Sequence, residues 1–244
     1  MKTFNLMGFD WQCCMEGGRI IHPEYPYVFY DETKISTEKD VVKLTLGTPS
    51  QAAVEYWDGT TFYPQYGGGL LRSVDTFTYG TFSAEICMPK GKGLWSAFWL
   101  VGEGHWAEHG EIDINEGYSD DDYTRIFTPY FPWLNPSWKT TNNIHYAVDG
   151  EHKEAGSRSV SKCTQPYEPY SGFIKYECKW TPDEIIFSVG GKVVRRDKDA
   201  VKHFMHDQGD RMRVVFDLLC EDPEKHEVSM ETPMLIRNFK YKPL

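Results

Sequence analysis

Near the middle of this 244-residue chain, Gly110-Glu111-Ile112-Asp113-Ile114-Asn115-Glu116-Gly117 alternates acids with apolar residues. On a strand, successive side chains point to opposite faces, so Glu111 and Asp113 share one face while Ile112 and Ile114 share the other. Glu116 is out of phase by one residue. A β-bulge at Ile114-Asn115 absorbs that residue and returns Glu116 to the face of Glu111 and Asp113. The pattern predicts a rigid strand that carries three carboxyls in a row, facing away from the core.

No packing requirement calls for such a row. Like charges crowded on one face repel, and the cheapest relief is for one acid to keep its proton at neutral pH. The plainer alternative is a solvated strand face with ordinary surface acids. Polar faces, however, usually mix Thr, Ser and Lys with both signs of charge. A protonated carboxyl beside an ionised one is the pair that cleavage of a glycosidic bond uses.

The rest of the chain supplies a setting for that strand. Val41 to Leu46, Tyr79 to Met88, Ile144 to Val148, Phe173 to Trp180, Ile185 to Val189, Lys192 to Val194, Arg211 to Leu219 and Met234 to Tyr241 read as short strands. Gly190-Gly191 between two of them is a hairpin turn. Leu94 to Val101 is apolar enough to be buried on both faces. Phe82, Ala84 and Ile86 form an inward-facing set. The first forty residues read as irregular, Gly67-Gly68-Gly69 as a turn, and Asp197 to His206 as a single helix. Many short strands, little helix, no internal repeat and no linker predict an all-β fold, an antiparallel two-sheet β-sandwich, as one domain over 1–244.

Composition narrows the partners. The chain has 36 acids against 26 bases, a net charge of -10, which disfavours nucleic acid, anionic membranes and heavily sulfated polysaccharide. Eight Trp exceed what packing alone tends to use and fit carbohydrate-stacking platforms. No apolar run is long enough to span a bilayer, and the first ten residues lack a signal-peptide core. The six cysteines show no Cys-x-x-Cys pair and read as free buried thiols rather than disulfides or a Cys13-Cys14 metal or redox site. His105, Glu108 and His109 lack His-Glu-x-x-His spacing and read as loop residues, and Asp120-Asp121-Asp122 lacks the pattern of a calcium loop.

Tyr79-Gly80-x-Phe82, Gly93-Leu94-Trp95-Ser96-Ala97-Phe98-Trp99-Leu100 and Trp106-x-x-x-Gly110-Glu111-Ile112-Asp113-Ile114-Asn115-Glu116 resemble glycoside hydrolase family 16. The resemblance is to its laminarinase-like branch, which keeps the bulged residue. It continues through Ile144-His145-Tyr146 and Phe173-x-x-Tyr176-x-x-x-Trp180-Thr181-Pro182-Asp183, from about Gly69 onward. Ile174 replaces a His found in many members, and Asn115 stands where the bulge is often apolar. The resemblance implies a concanavalin A-like β-jelly roll with a glycan cleft on its concave sheet. It also implies a retaining endo-β-glycanase acting on β-1,3- or mixed β-1,3/1,4-glucan, with a polysaccharide as its partner. A galactan hydrolase of the agarase or carrageenase type, or a non-catalytic glycan-binding protein, are the alternatives. The expected enzyme is a monomer without cofactor, secreted or periplasmic by the size of its substrate. Some members hold a structural calcium ion, which nothing in this sequence marks.

Carried over residue by residue, Glu111 is the nucleophile, Asp113 its hydrogen-bonded assistant and Glu116 the general acid/base. Residues two and four apart on one strand face lie roughly 6.6 and 13 Å apart before twist. Retention needs carboxyls about 5–5.5 Å apart, so the longer Glu side chains at both ends can lean inward over Asp113. Trp106 is assigned to sugar stacking, Trp99 is left between sugar contact and core, and Trp95 is assigned to the core. His145 is either a cleft-side histidine or a buried one satisfied by backbone. Trp133 and Trp138 form an outer subsite or pack the long loop down. Arg72 is read as a structural ion pair before a hydroxyl contact.

Overall fold

The computed structural model describes residues 2–16, 18–20, 25–56, 58–118, 125–126, 137–138, 141–156, 169–207 and 209–244. Among these residues the strands form two large sheets. The ten-stranded sheet runs Thr3–Leu6, Phe9–Gln12, Tyr66–Ser73, Met212–Cys220, Leu94–Gly102, Glu111–Tyr118, Thr141–Val148, Glu151–Glu154, with Val28–Tyr30 and Leu46–Gly47 also paired to Tyr66–Ser73. The seven-stranded sheet runs Lys192–Asp197, Ile185–Val189, Ile174–Trp180, Gly80–Cys87, Met234–Pro243, Val41–Leu44, Ile35–Glu38. All these pairs are antiparallel except Val28–Tyr30 with Tyr66–Ser73. The sandwich predicted from the alternating runs is the fold.

Apolar residues at alternate positions make the core between the sheets. Phe82, Ala84 and Ile86 from one sheet and Phe98, Leu100, Val214 and Phe216 from the other are buried. Phe98 stacks on Phe216 at 4.5 Å between ring centroids, and Phe239 of the facing sheet meets Phe216 edge-on at 5.8 Å. Each ring this deep is worth roughly 2–3 kcal/mol of burial. That contact fixes which face of the Leu94–Gly102 and Met212–Cys220 strands is left for the cleft.

Three expectations are corrected. The first forty residues are not irregular: they contain Thr3–Leu6, Phe9–Gln12, Val28–Tyr30 and Ile35–Glu38, strands too short to show a period. Gly67-Gly68-Gly69 is not a turn but the first half of the Tyr66–Ser73 strand. Here glycine is chosen for close approach: a Cβ on Gly68 would lie 2.3 Å from the Leu218 carbonyl oxygen, and one on Gly67 2.5 Å from an Asp31 carboxylate oxygen. Asp197 to His206 is not a helix beyond the 3-10 turn Ala200–His203, because Asp197 still belongs to the preceding strand and its carboxylate accepts from the Asp199 and Ala200 amides. Gly190-Gly191 does make the expected hairpin turn, with φ of +58° and +79°.

The described cysteines Cys13, Cys14, Cys87, Cys178 and Cys220 are thiols that form no disulfide among themselves. Burial pushes the Cys13 and Cys220 thiols up to about 12, so neither is a ready nucleophile or ligand. Trp133, Asp120 to Asp122 and Cys163 lie outside the described residues. Trp138 is described only as backbone, in the short strand Ser137–Trp138.

Candidate active site

The motif forms the Glu111–Tyr118 strand, and the bulge falls where it is needed. Against the Leu94–Gly102 strand the register runs Val101 with Glu111 and Trp99 with Asp113, then jumps to Phe98 with Asn115 and Ala97 with Glu116. Against Thr141–Val148 the register shifts between Asp113 and Glu116 as well. Ile112, Ile114 and Asn115 all turn into the core, and Asn115 Nδ2 reaches Met88 Sδ at 3.5 Å. Two consecutive inward residues put Glu116 back on the outer face with Glu111 and Asp113.

That face lines a cleft of about 750 Å³. Directly paired residues share a face, so the ladder lays out its floor in rows. One row crosses Arg213, Val101, Glu111, His145 and Glu154; the next crosses Arg72, Val215, Trp99, Asp113 and Asn143; a third crosses Asp217, Ala97 and Glu116. Tyr25, Tyr56 and Glu16, from segments outside the central strands, add to the lining.

Each acid has its own surroundings. The Glu111 side chain is 14% exposed, and Trp106 Nε1 donates to its Oε2 at 2.8 Å. Burial, then the neighbouring Asp113, push the Glu111 carboxyl well above the usual range, against the pull of the indole N–H. Asp113 is more deeply placed, at 5% side-chain exposure, and its Oδ2 has no hydrogen-bond partner. Burial, then the charges of Glu116 and Asp217, hold Asp113 well above the usual range too. The expected hydrogen bond from Asp113 to Glu111 is not seen: Asp113 Oδ2 has no partner, and Glu111 Oε2 takes its bond from Trp106. Both carboxyls are thus held above the usual range by burial and by the acids beside them, and Asp113 is the more deeply buried of the two.

His145 is on the cleft side, 3.2 Å from Asp113 Oδ2 and 3.7 Å from Glu111 Oε1 through Nε2. Its tautomer follows from its neighbours. Asn143 Oδ1 accepts from the Ile144 amide at 2.9 Å, so the group facing His145 Nε2 at 3.2 Å is the Asn143 amide nitrogen, a donor. Nε2 then accepts, and Nδ1–H donates to His152 Nε2 at 2.9 Å. The same Nε2 edge faces the Asp113 carboxyl across the cleft floor.

The tryptophans sort differently from expectation. Trp106 is 52% exposed and free on one side to meet a sugar ring, with its other contacts to His152 and His145. Trp99 is 7% exposed and lies on the cleft floor, its Nε1 bonded to Asp217 at 2.9 Å. Trp95, expected in the core, is a cleft residue: it is half-buried, packs at 5.9 Å on Tyr25 and donates to Glu116 Oε1 at 3.3 Å. Its phase on the strand, two and four residues from Ala97 and Trp99, puts it there. Arg72 faces the cleft with a long 3.9 Å pairing to Glu16, and its Nε is buried without a partner.

Asp217, His152, Asn143 and Tyr25 were not anticipated. Asp217 had a legible signal, a lone acid inside Val214-Val215-Phe216-Asp217-Leu218-Leu219; the others had none, being set by the ladder or by loop packing. Among the described residues, Glu111, Asp113 and His145 have ligand atoms within 4.8 Å of one another, close enough to hold a metal ion, but two of the three are the motif's own acids. His109 is bonded to Asp207 at 2.7 Å and to the His105 carbonyl, away from any ligand cluster.

Comparison with known proteins bears on the family and the fold. The chain is 29% identical over 164 residues to endo-1,3-1,4-beta-glycanase EglC of Rhizobium meliloti, a match covering 66% of this chain and 30% of that protein. The chain thus spans about a third of that relative's length. Its fold superposes at a TM-score of 0.63 on the catalytic domain of an endo-1,3-beta-glucanase (laminarinase) from Thermotoga petrophila, at 16% identity over 96% of this chain and 99% of that one. It superposes equally, at 0.63 and 17% identity, on porphyranase B from Zobellia galactanivorans, over 95% of this chain and 84% of that one. The family model of glycosyl hydrolases family 16 matches residues 24–227, and the chain, with its bulged acidic strand over an indole-lined cleft, belongs to that family.

Proposed function

We propose that this chain is a retaining endo-β-glycanase that hydrolyses β-1,3- or mixed-linkage β-1,3/1,4-glucan outside the cell or in a periplasm. The observation that carries the reading is the bulge, which puts Glu111, Asp113 and Glu116 on one face of one strand over the cleft. Glu111 attacks the anomeric carbon while Glu116 gives its proton to the departing glycosidic oxygen. Glu116, now a base, takes a proton from water, whose oxygen displaces Glu111 and restores the starting anomer. Asp113, buried on the same face, sets with its carboxyl the field in which Glu111 ionises. Trp95, Trp99 and Trp106 supply the apolar faces on which sugar rings rest. The glycanase named for EglC supports the choice of β-glucan.

One observation favours a second reading. The Arg72 guanidinium on the cleft wall, with an unpartnered Nε, suits an anionic substituent such as those of carrageenan. Incubation with laminarin, barley glucan, agarose and carrageenan, followed by separation of the oligosaccharides and proton NMR of the first product formed, tests both. A ladder from laminarin or barley glucan with initial β-anomer is the expected result. Products from the galactans alone transfer the assignment to the second reading, and an initial α-anomer refutes retention.

A further inference from the structure

The cleft holds a fourth carboxyl for which the three-acid motif has no place. Asp217 is 3% exposed and lines the same cavity. Ala97 pairs with Glu116 on one side and with Asp217 on the other. Paired residues share a face, so the two carboxyls flank a single methyl group, with backbones two strand spacings, about 10 Å, apart. The strand that carries Ala97 ties both down: Trp95 Nε1 donates to Glu116 Oε1 at 3.3 Å and Trp99 Nε1 donates to Asp217 Oδ2 at 2.9 Å.

An amide would accept the Trp99 hydrogen bond equally well and would be cheaper to bury than an acid. The acid therefore does something that the bond to Trp99 alone does not require. We propose that Asp217 is a positioning residue for the acid/base step, fixing the Trp99 indole on the cleft floor and setting, by its charge, the field that Glu116 meets across Ala97. This rests on Glu116 being the acid/base. Burial, then Glu116, push the Asp217 carboxyl up to about 7, and the influence is mutual. The other titratable or charged groups that bear on it are Asp113 on the motif strand, Tyr30 from Val28–Tyr30, Arg72 from Tyr66–Ser73, and Arg213 on its own strand. Tyr30 is itself held protonated by burial, so the charge that titrates beside Glu116 is that of the acids.

Two variants decide the matter. Asp217→Asn keeps the acceptor for Trp99 and removes the titrating charge. Two charges roughly 10 Å apart at an effective dielectric of about 20 shift one another by about one pH unit. The alkaline limb of kcat/KM should therefore move down by about one pH unit, a loss of about tenfold above that limb, with KM within about twofold. Asp217→Ala should show the same limb and, with the indole N–H left without its acceptor, a KM raised about tenfold that Asn restores. An unmoved limb in Asp217→Asn overturns the proposal, whether or not the alanine variant folds. Carbon-13 NMR titration of the glutamate carboxyls in wild type and Asp217→Asn measures the same coupling without substrate. If the wild type cleaves none of the glycans, the proposed function fails while this titration still decides the role of Asp217.

Discussion

Replacing Trp106 by Phe removes one N–H from the cleft and little else. The indole Nε1 donates to Glu111 Oε2 at 2.8 Å, a bond that favours the ionised carboxylate against burial and the adjacent Asp113. Hydrogen bonds to a charged group are worth about 1.5–3 kcal/mol. Trp106 is 52% exposed, which puts this one at the lower end. At about 1.4 kcal/mol per pH unit, its loss should raise the pH at which Glu111 ionises by about one unit. Phe retains an aromatic face towards His152, now 4.6 Å from the indole, and towards a bound sugar. The expected profile of kcat/KM, followed by reducing ends released from barley glucan, keeps its plateau but has its acid limb about one pH unit higher. Activity below the limb falls about tenfold. A limb that stays in place while KM rises would show that Trp106 serves only as a stacking surface, and the link between the indole N–H and Glu111 would be refuted.

Glu111→Gln and Glu116→Gln should each abolish cleavage and leave the melting temperature within a few degrees of wild type; ordinary turnover in either variant removes that residue from the chemistry. Gly68→Ala drives a Cβ to 2.3 Å from the Leu218 carbonyl oxygen, a backbone contact that cannot yield. A loss of at least about 2 kcal/mol in urea unfolding is expected, and unchanged stability would mean that the two strands separate more easily than their register implies. Asp217 bears on stability as well as catalysis. Its folded-state carboxyl lies at about 7 against 3.8 for the free group, so its neutral form favours folding below about pH 4 and that advantage is lost as pH rises to about 7. Asp217→Asn escapes this loss. Measured by urea unfolding, the variant should gain on wild type between pH 4 and pH 8 by up to about 4 kcal/mol, the product of about three pH units and about 1.4 kcal/mol each; a difference independent of pH contradicts the burial argument.

The centre of the molecule was legible because two constraints act on the same residues there. The alternation in Glu111 to Glu116 fixed both the strand and, through the one-residue slip, the bulge; the apolar inward sets of Gly80–Cys87 and Leu94–Gly102 fixed the core. What sequence could not convey was adjacency. Asp217 is about a hundred residues from Glu116, and only the register of Leu94–Gly102 between them brings the two acids to one face. Trp95 was misplaced for a related reason. Its neighbours are apolar on both faces of the strand, so composition alone did not distinguish floor from core. The glycines at 67–69 misled because a residue chosen for close approach looks the same in sequence as one chosen for a turn.

Among the described residues the ten-stranded sheet ends at Glu151–Glu154, four exposed residues in which two acids flank His152 and Lys153. An open strand edge is an invitation to pair with another molecule, and a short charged segment withdraws it. The same four residues reach inward to the chemistry, since His152 holds the His145 ring and Glu154 lines the cavity. Selection against pairing with another molecule and selection for the geometry of the site therefore act on one tetrapeptide. A substitution there that improves either property will be felt in the other.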